Sequence, residues 1–145
     1  MVSLLLFIIT LSFTPSNIIG VVEEFHNLNS RKAERTFIKN YQESVDPSIL
    51  GYVLAIEMKQ SEYSYNPLKK FKTFDEAKKR LNGLIERNPN DIHLRYIRLV
   101  LQEKSPKFLG YKDFIEQDKG FLIKKLEIVD DSDFLDIYIY NYTSL

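Results

Sequence analysis

The stretch ILGYVLAIEM at residues 49–58 decides the fold of this 145-residue chain. Asp46 and Pro47 come before it, and a carboxylate followed by proline is typical of the first positions of a helix. Apolar residues occupy nearly every side of that helix, so it has to lie at the centre of a bundle. The stretch IHLRYIRLVL at residues 92–101 has the same character. Two such helices predict an all-α fold.

The rest of the chain divides into further segments of helical length. The prolines at 67, 89 and 106 mark boundaries, because proline is tolerated where a helix starts or stops. Helices are predicted over 22–44 with a break at 27–30, between Pro67 and Pro89, and over 112–126. Residues 134–142 alternate as a strand would, but a lone strand is unfavourable, so a helix is predicted. The expected architecture is a bundle of about five to six helices.

The helix between Pro67 and Pro89 has the most regular pattern. Its apolar residues fall at steps of three and four and predict one buried stripe, formed by Phe71, Phe74, Ala77, Leu81, Leu84 and Ile85.

Composition narrows the functional classes. Twenty Lys and Arg balance twenty Asp and Glu, so the chain as a whole has no electrostatic pull toward nucleic acid. The lack of cysteine excludes disulfides, thiol catalysis and Cys-ligated zinc. The length fits one domain.

The N-terminus has the pattern of an export signal. Residues 4–13 read LLLFIITLSF, an apolar run of the length of a signal-peptide core and about half of what a spanning helix needs. Small residues suited to cleavage follow at Ser16 and Gly20. We therefore expect a signal peptide over 1–20, a helical domain over 21–145, and a periplasmic or secreted protein. The alternatives are an uncleaved membrane anchor formed by residues 1–22 and a buried first helix.

No residue set predicts a reaction. His26 and His93 are far apart, and neither has a second ligand at metal spacing. The acidic cluster of Asp130, Asp131, Asp133 and Asp136 lacks the glycine and the last glutamate of a calcium loop, so it is interpreted as helix capping. No catalytic residue, cofactor or metal is predicted, and the chain is not expected to be an enzyme.

Three charges interrupt the two apolar helices: Glu57 in the first, Arg95 and Arg98 in the second. Desolvating an unpaired charge costs several kcal/mol, so Glu57 is expected to pair with Arg95 or Arg98 inside the bundle. The alternative is that the three charges face a ligand.

Two linkers are unusually aromatic. Large rings in linkers either fold back onto the core or face a partner, and both linkers are expected at the same end of consecutive helical pairs. The predicted partner-binding residues are Tyr63, Tyr65, Asn66, Pro67, Phe108, Leu109, Gly110 and Tyr111.

The segment 67–107 is basic, with 11 Lys and Arg against 5 Asp and Glu. Much of that charge lies over residues 69–80. Phe71 and Phe74 are assigned to the buried stripe, so this face lacks the rings on which nucleic-acid bases would stack. It is interpreted as a solvated face, with contact to acidic lipid headgroups as the alternative.

Two resemblances follow from these residues. Ala77, Leu81, Leu84 and Pro89 resemble the second helix of a tetratricopeptide repeat, and Leu50-Gly51 followed by Leu54 resembles the first helix. The linker between them is longer than that motif allows. The implied fold has degenerate repeat-like helical pairs.

Residues 49–119 as a whole resemble a family of small exported proteins of Bacteroidota of unknown function. The resemblance lies in strings such as YSYNPLKK at 63–70 and FLGY at 108–111. It implies export and a repeat-like helical fold, and it implies no activity.

The sequence therefore predicts a non-enzymatic helical scaffold of the cell envelope that contacts a protein or peptide. Nucleic acid is not an expected partner, and a membrane is one only if the N-terminus is uncleaved. In that case the basic face of residues 69–80 would lie on acidic headgroups.

Overall fold

The computed structural model describes residues 17–145, and residues 1–16 of the predicted signal peptide lie outside that range. The described chain consists of helices joined by turns, without a strand, so the predicted all-α fold is confirmed. The seven α-helices are α1 (Ile18–His26), α2 (Arg31–Tyr41), α3 (Pro47–Ser61), α4 (Pro67–Arg87), α5 (Ile92–Lys104), α6 (Ile115–Leu126) and α7 (Asp136–Tyr142). Short 3₁₀ turns at Lys107–Leu109 and Asp133–Leu135 precede α6 and α7.

Side-chain caps place the helix starts where the sequence predicts them. Asp46 accepts a hydrogen bond from the Ser48 amide at 2.8 Å at the start of α3. Asp91 accepts one from the Leu94 amide at 3.1 Å at the start of α5. Each cap satisfies an amide that has no partner within the helix.

Helix α3 lies at the centre and packs against α1, α2, α4 and α5. Nearly every residue of 49–58 and of 92–101 is buried, as the two apolar stretches predict. Gly51 allows α3 and α5 to approach closely: a Cβ atom there would stand 2.6 Å from Cδ2 of Leu94. The small residue of the repeat-like string is thus required by this crossing.

Helix α4 is longer than the helix on which it packs. At 1.5 Å per residue, its 21 residues span roughly 31 Å, against roughly 22 Å for the 15 residues of α3. Phe74, Ala77, Leu81 and Ile85 are buried as predicted. The assignment of Phe71 to the buried stripe is wrong: its ring is 56% exposed, because the first turns of α4 extend past the core.

Helix α6 begins three residues later than the sequence predicts. The Phe114 amide donates to Oε1 of Gln102 at 2.8 Å, and Nζ of Lys112 donates to the Gln102 carbonyl at 2.8 Å. These bonds to α5 hold residues 112–114 outside the helix, with Asp113 and Phe114 in a turn. The last element, over Asp136–Tyr142, is helical as predicted.

The folded body starts before the predicted domain boundary at residue 21. Asn17 caps α1 by accepting from the Ile19 amide at 3.1 Å, and Ile18 packs against the core. Val21 and Val22 are buried. None of the helices in the described range is long and apolar enough to cross a membrane.

Candidate functional site

The two aromatic linkers meet in one surface depression. Tyr65 comes from the α3–α4 linker, Phe108 and Leu109 from the linker after α5, and Phe71 from the first turns of α4. The depression has a volume of about 230 Å³. We call it the aromatic groove and define it by its lining residues, Ser64, Tyr65, Pro67, Lys70, Phe71, Phe108 and Leu109.

The groove gathers large apolar side chains that the fold does not bury. Tyr65 is fully exposed, and Phe108 is 81% exposed. Leu68, next to the groove in sequence, is 82% exposed. Isolated exposed apolar residues are normal, but a contiguous apolar patch is typical of interaction sites, which makes this depression the candidate site.

Lysines accompany these rings. Lys70 lines the groove, and Lys69, Lys72 and Lys107 are exposed in the segments that form it. The Lys72 ammonium is 3.9 Å from Glu76, a loose and exposed pair. The groove is therefore apolar with a positive border.

Tyr63 points away from the groove. Its hydroxyl donates to Oε1 of Glu34 at 3.2 Å, and the guanidinium of Arg31 lies 3.8 Å from the ring centroid. Glu34 is buried and also binds the ammonium of Lys59 at 2.7 Å. Tyr63 thus fixes the α3–α4 linker to α2.

Tyr111 folds back into the core. Its ring packs edge-on against Phe74 with centroids 6.0 Å apart, and the side chain is 1% exposed. Burial raises the pKa of its phenol. Gly110 permits the inward turn because its φ of 62° is a left-handed conformation that glycine adopts freely. Of the predicted partner-binding residues, Tyr65, Pro67, Phe108 and Leu109 line the groove, whereas Tyr63 is held by α2 and Tyr111 packs into the core.

The predicted ion pair between Glu57 and Arg95 or Arg98 is wrong. Glu57 accepts from Nη1 of Arg80 at 2.7 Å on the outer side of α3 and α4. Arg95 and Arg98 project from α5 toward α6 instead. Their partner is Asp118, which the sequence reasoning did not select.

Asp118 holds a buried polar cluster between α5 and α6. It accepts from Nη1 of Arg95 at 3.0 Å, from Nε and Nη2 of Arg98 at 2.7 Å each, and from Nε2 of Gln102 at 3.3 Å. Asp118 is fully buried and Arg98 nearly so. Arg98 also lies over the ring of Phe114, with 4.0 Å to the centroid. The cluster fixes α6, and with it the end of the linker that carries Phe108.

A sequence signal for Asp118 existed. It lies four residues after Phe114 and four before Leu122, so it stands on the predicted buried face of its helix. Glu34 similarly lies three residues before Phe37. A carboxylate on an apolar stripe indicates a buried partner.

Both histidines bind buried tyrosines. The Tyr52 hydroxyl and Nδ1 of His93 are 2.8 Å apart, and the Tyr96 hydroxyl and Nε2 of His26 are 3.0 Å apart. Burial lowers the pKa of His93. Burial, with a smaller effect from Lys104, lowers the pKa of His26 to about 4.

Within residues 17–145 no three His, Asp or Glu side chains are grouped so that they could hold a metal ion. The acidic residues after α6 instead close a turn, in which Asp130 accepts from the Ser132 amide at 2.7 Å and Asp133 from the Asp130 amide at 2.9 Å. They do not cap α7, which starts without a side-chain cap.

No protein-family model, curated protein or solved structure matches this chain.

Proposed function

We propose that the protein is a non-enzymatic helical binding module of the cell envelope that holds a segment of a partner protein in the aromatic groove. The observation that carries the proposal is the meeting of Tyr65, Phe71 and Phe108 in one depression while Tyr63 and Tyr111 anchor the same linkers. Rings held on anchored linkers lose little conformational entropy on binding, which suits them as contact residues.

The chemistry of the groove specifies its occupant. Its floor is apolar and its border carries Lys69, Lys70 and Lys107. The complementary partner is a protein segment with one or two large apolar side chains flanked by Asp or Glu. The helical pairs α3–α4 and α5–α6, in the manner of degenerate tetratricopeptide-like repeats, would present this surface. Export is proposed on the apolar run at residues 4–13.

Site-specific crosslinking tests the proposal. A photoreactive phenylalanine analogue replaces Phe108 in the chain expressed in its own cells, and the control carries it at Val129, which is equally exposed but lies outside the groove. We expect one discrete protein adduct from position 108 and none from 129. The captured protein is then purified and titrated against the chain.

Charge reversal supplies the second criterion. The double substitution K69E/K70E should weaken that binding by at least tenfold, and raised salt should weaken the binding of the unsubstituted chain, because Lys69 is exposed and Lys70 is partly exposed. Equal adducts at 108 and 129, or binding indifferent to charge reversal, would refute the proposal.

A membrane surface is a second candidate for the same residues. The exposure of Leu68 and Phe71 next to Lys69, Lys70 and Lys72 favours it, because apolar and basic side chains together suit an interface rich in acidic lipid. Sedimentation with vesicles of phosphatidylglycerol and phosphatidylethanolamine tests it. Binding that is lost in Phe71→Ser, without a protein adduct from position 108, would favour the membrane. A chain that stays in the supernatant with these vesicles excludes it.

A further inference from the structure

A second cavity lies where the C-terminal ends of α1, α3, α5 and α7 meet. Its volume is about 360 Å³, within the range of about 300–1,000 Å³ typical of small-molecule sites. It shares no lining residue with the aromatic groove.

The floor of this cavity is apolar. It is formed by core side chains from three helices, among them Ala55 and Ile56 of α3, Phe74 of α4 and Ile97 of α5. Tyr142, the last residue of α7, closes one side and stacks on His26 with ring centroids 4.2 Å apart. An occupant would displace water from these apolar surfaces, which favours a ligand with an apolar body.

Charged side chains line the same cavity. Lys59 is neutralised by Glu34 at 2.7 Å. Lys104 has no carboxylate within 4 Å among residues 17–145, and its ammonium lies 4.9 Å from the centroid of the Tyr142 ring. Glu62, the remaining charged lining residue, is an exposed anion, and water screens it as it screens Lys104. Lys104 is therefore the cation available to an occupant.

We propose that this cavity binds an amphipathic carboxylate, with its apolar body on Ala55 and Ile97 and its carboxylate on the ammonium of Lys104. Because Lys104 is exposed, the carboxylate stays at the mouth, where water reaches it and the desolvation cost is low. His26 complements this arrangement: burial and the charge of Lys104 hold its pKa at about 4, so it is neutral at pH 7 and contributes no second cation.

Three eight-carbon probes that differ in their head group test the proposal: octanoate, octylammonium and octan-1-ol. Each is titrated into the ¹⁵N-labelled protein and followed by amide chemical shifts. We expect saturable shifts at Ala55, Ile97 and Tyr142, and at least tenfold tighter binding of octanoate than of octylammonium. Shifts confined to the aromatic groove, or no preference for octanoate, would overturn the proposal.

Substitutions distinguish the contribution of the Lys104 charge to binding from that of the apolar cavity. Lys104→Met should weaken octanoate binding about tenfold and leave octanol binding unchanged, which also reports that the cavity is intact. Lys124→Met, an exposed lysine outside both the cavity and the aromatic groove, is the matched control and should leave octanoate binding unchanged. Ala55→Leu, checked for folding by its melting temperature, should abolish the binding of all three probes. Equal octanoate affinities for K104M and K124M would also overturn the proposal.

Discussion

Replacing Asp118 by alanine should detach α6 from the bundle. The side chain is fully buried and binds Arg95, Arg98 and Gln102. Its removal leaves the guanidinium of Arg98, 3% exposed, without a counterion. The other partners of that guanidinium are distant, with 3.4 Å to Oδ1 of Asn82 and 3.3 Å to Oε1 of Gln117.

The expected loss follows from the burial of that charge. Breaking a buried ion pair by removing one partner costs about 3–5 kcal/mol, out of a total of about 5–15 kcal/mol for a domain. Arg95 contributes less, because it is partly exposed and also donates to the Pro89 carbonyl at 3.1 Å. The buried residues of α6 are Asp118 and Leu122, and Ile115, Phe121 and Leu126 pack partly buried against the core, so α6 keeps some apolar contacts when the ion pair is lost.

Urea unfolding measures the free-energy change, and hydrogen exchange locates it. We expect D118A to lose about 3–5 kcal/mol and the amides of 115–126 to lose protection first. Asp75→Ala, which breaks partly exposed pairs with Lys78 and Lys79, should cost within about 1 kcal/mol. A loss in D118A no larger than in D75A, or exchange spread evenly over all helices, would refute the reasoning.

Three further predictions concern packing, a buried hydroxyl and pH. Gly51→Ala should lower the free energy of unfolding by about 1–3 kcal/mol, because its Cβ would stand 2.6 Å from Cδ2 of the buried Leu94. Gly120→Ala has open space at that position and should raise the free energy of unfolding by about 0.5–1 kcal/mol in the same urea titration. Tyr111→Phe should leave the melting temperature unchanged or raise it, because the Tyr111 hydroxyl is buried without a hydrogen-bond partner among the described residues; a clear loss would contradict this. The pKa of His26 is about 4 in the folded chain and 6.5 for a histidine in an unstructured peptide, so the unfolded chain binds a proton first and stability falls as pH is lowered from about 6.5 to about 4. Since His26 is partly exposed, its share is about 1–2 kcal/mol, and His26→Gln should remove that share when unfolding is compared at pH 7 and pH 4.

The helices were predictable because their signals are local. In Asp46-Pro47 and Asn90-Asp91, the aspartate side chain accepts a hydrogen bond from an amide two or three residues later. The starts of α3 and α5 therefore follow from neighbouring positions. The two aromatic linkers are visible in the sequence for the same reason, because each is a short run of neighbouring residues, and their binding of a partner stays a prediction. Which rings point outward was not predictable, because it depends on Glu34 and Phe74, which are distant in sequence from the rings they hold.

The ion pairs of α5 were also predictable only in part. That Arg95 and Arg98 need a counterion follows from their places in an apolar helix. Glu57 and Asp118 are both carboxylates on helix faces next to core positions, and sequence spacing does not distinguish them. The choice depends on which side of α5 each neighbouring helix packs.

The amino-acid sequence alone was enough to predict an all-α fold, the starts of α3 and α5, and the burial of most residues at 49–58 and 92–101, because propensity, capping and apolar periodicity act over a few residues. The tertiary structure decided that Asp118 rather than Glu57 neutralises the arginines, that Phe71 and Phe108 share a groove, and that a cavity forms at four helix ends. These depend on helix lengths and crossings, and contacts between residues far apart in sequence exist only once the helices have packed.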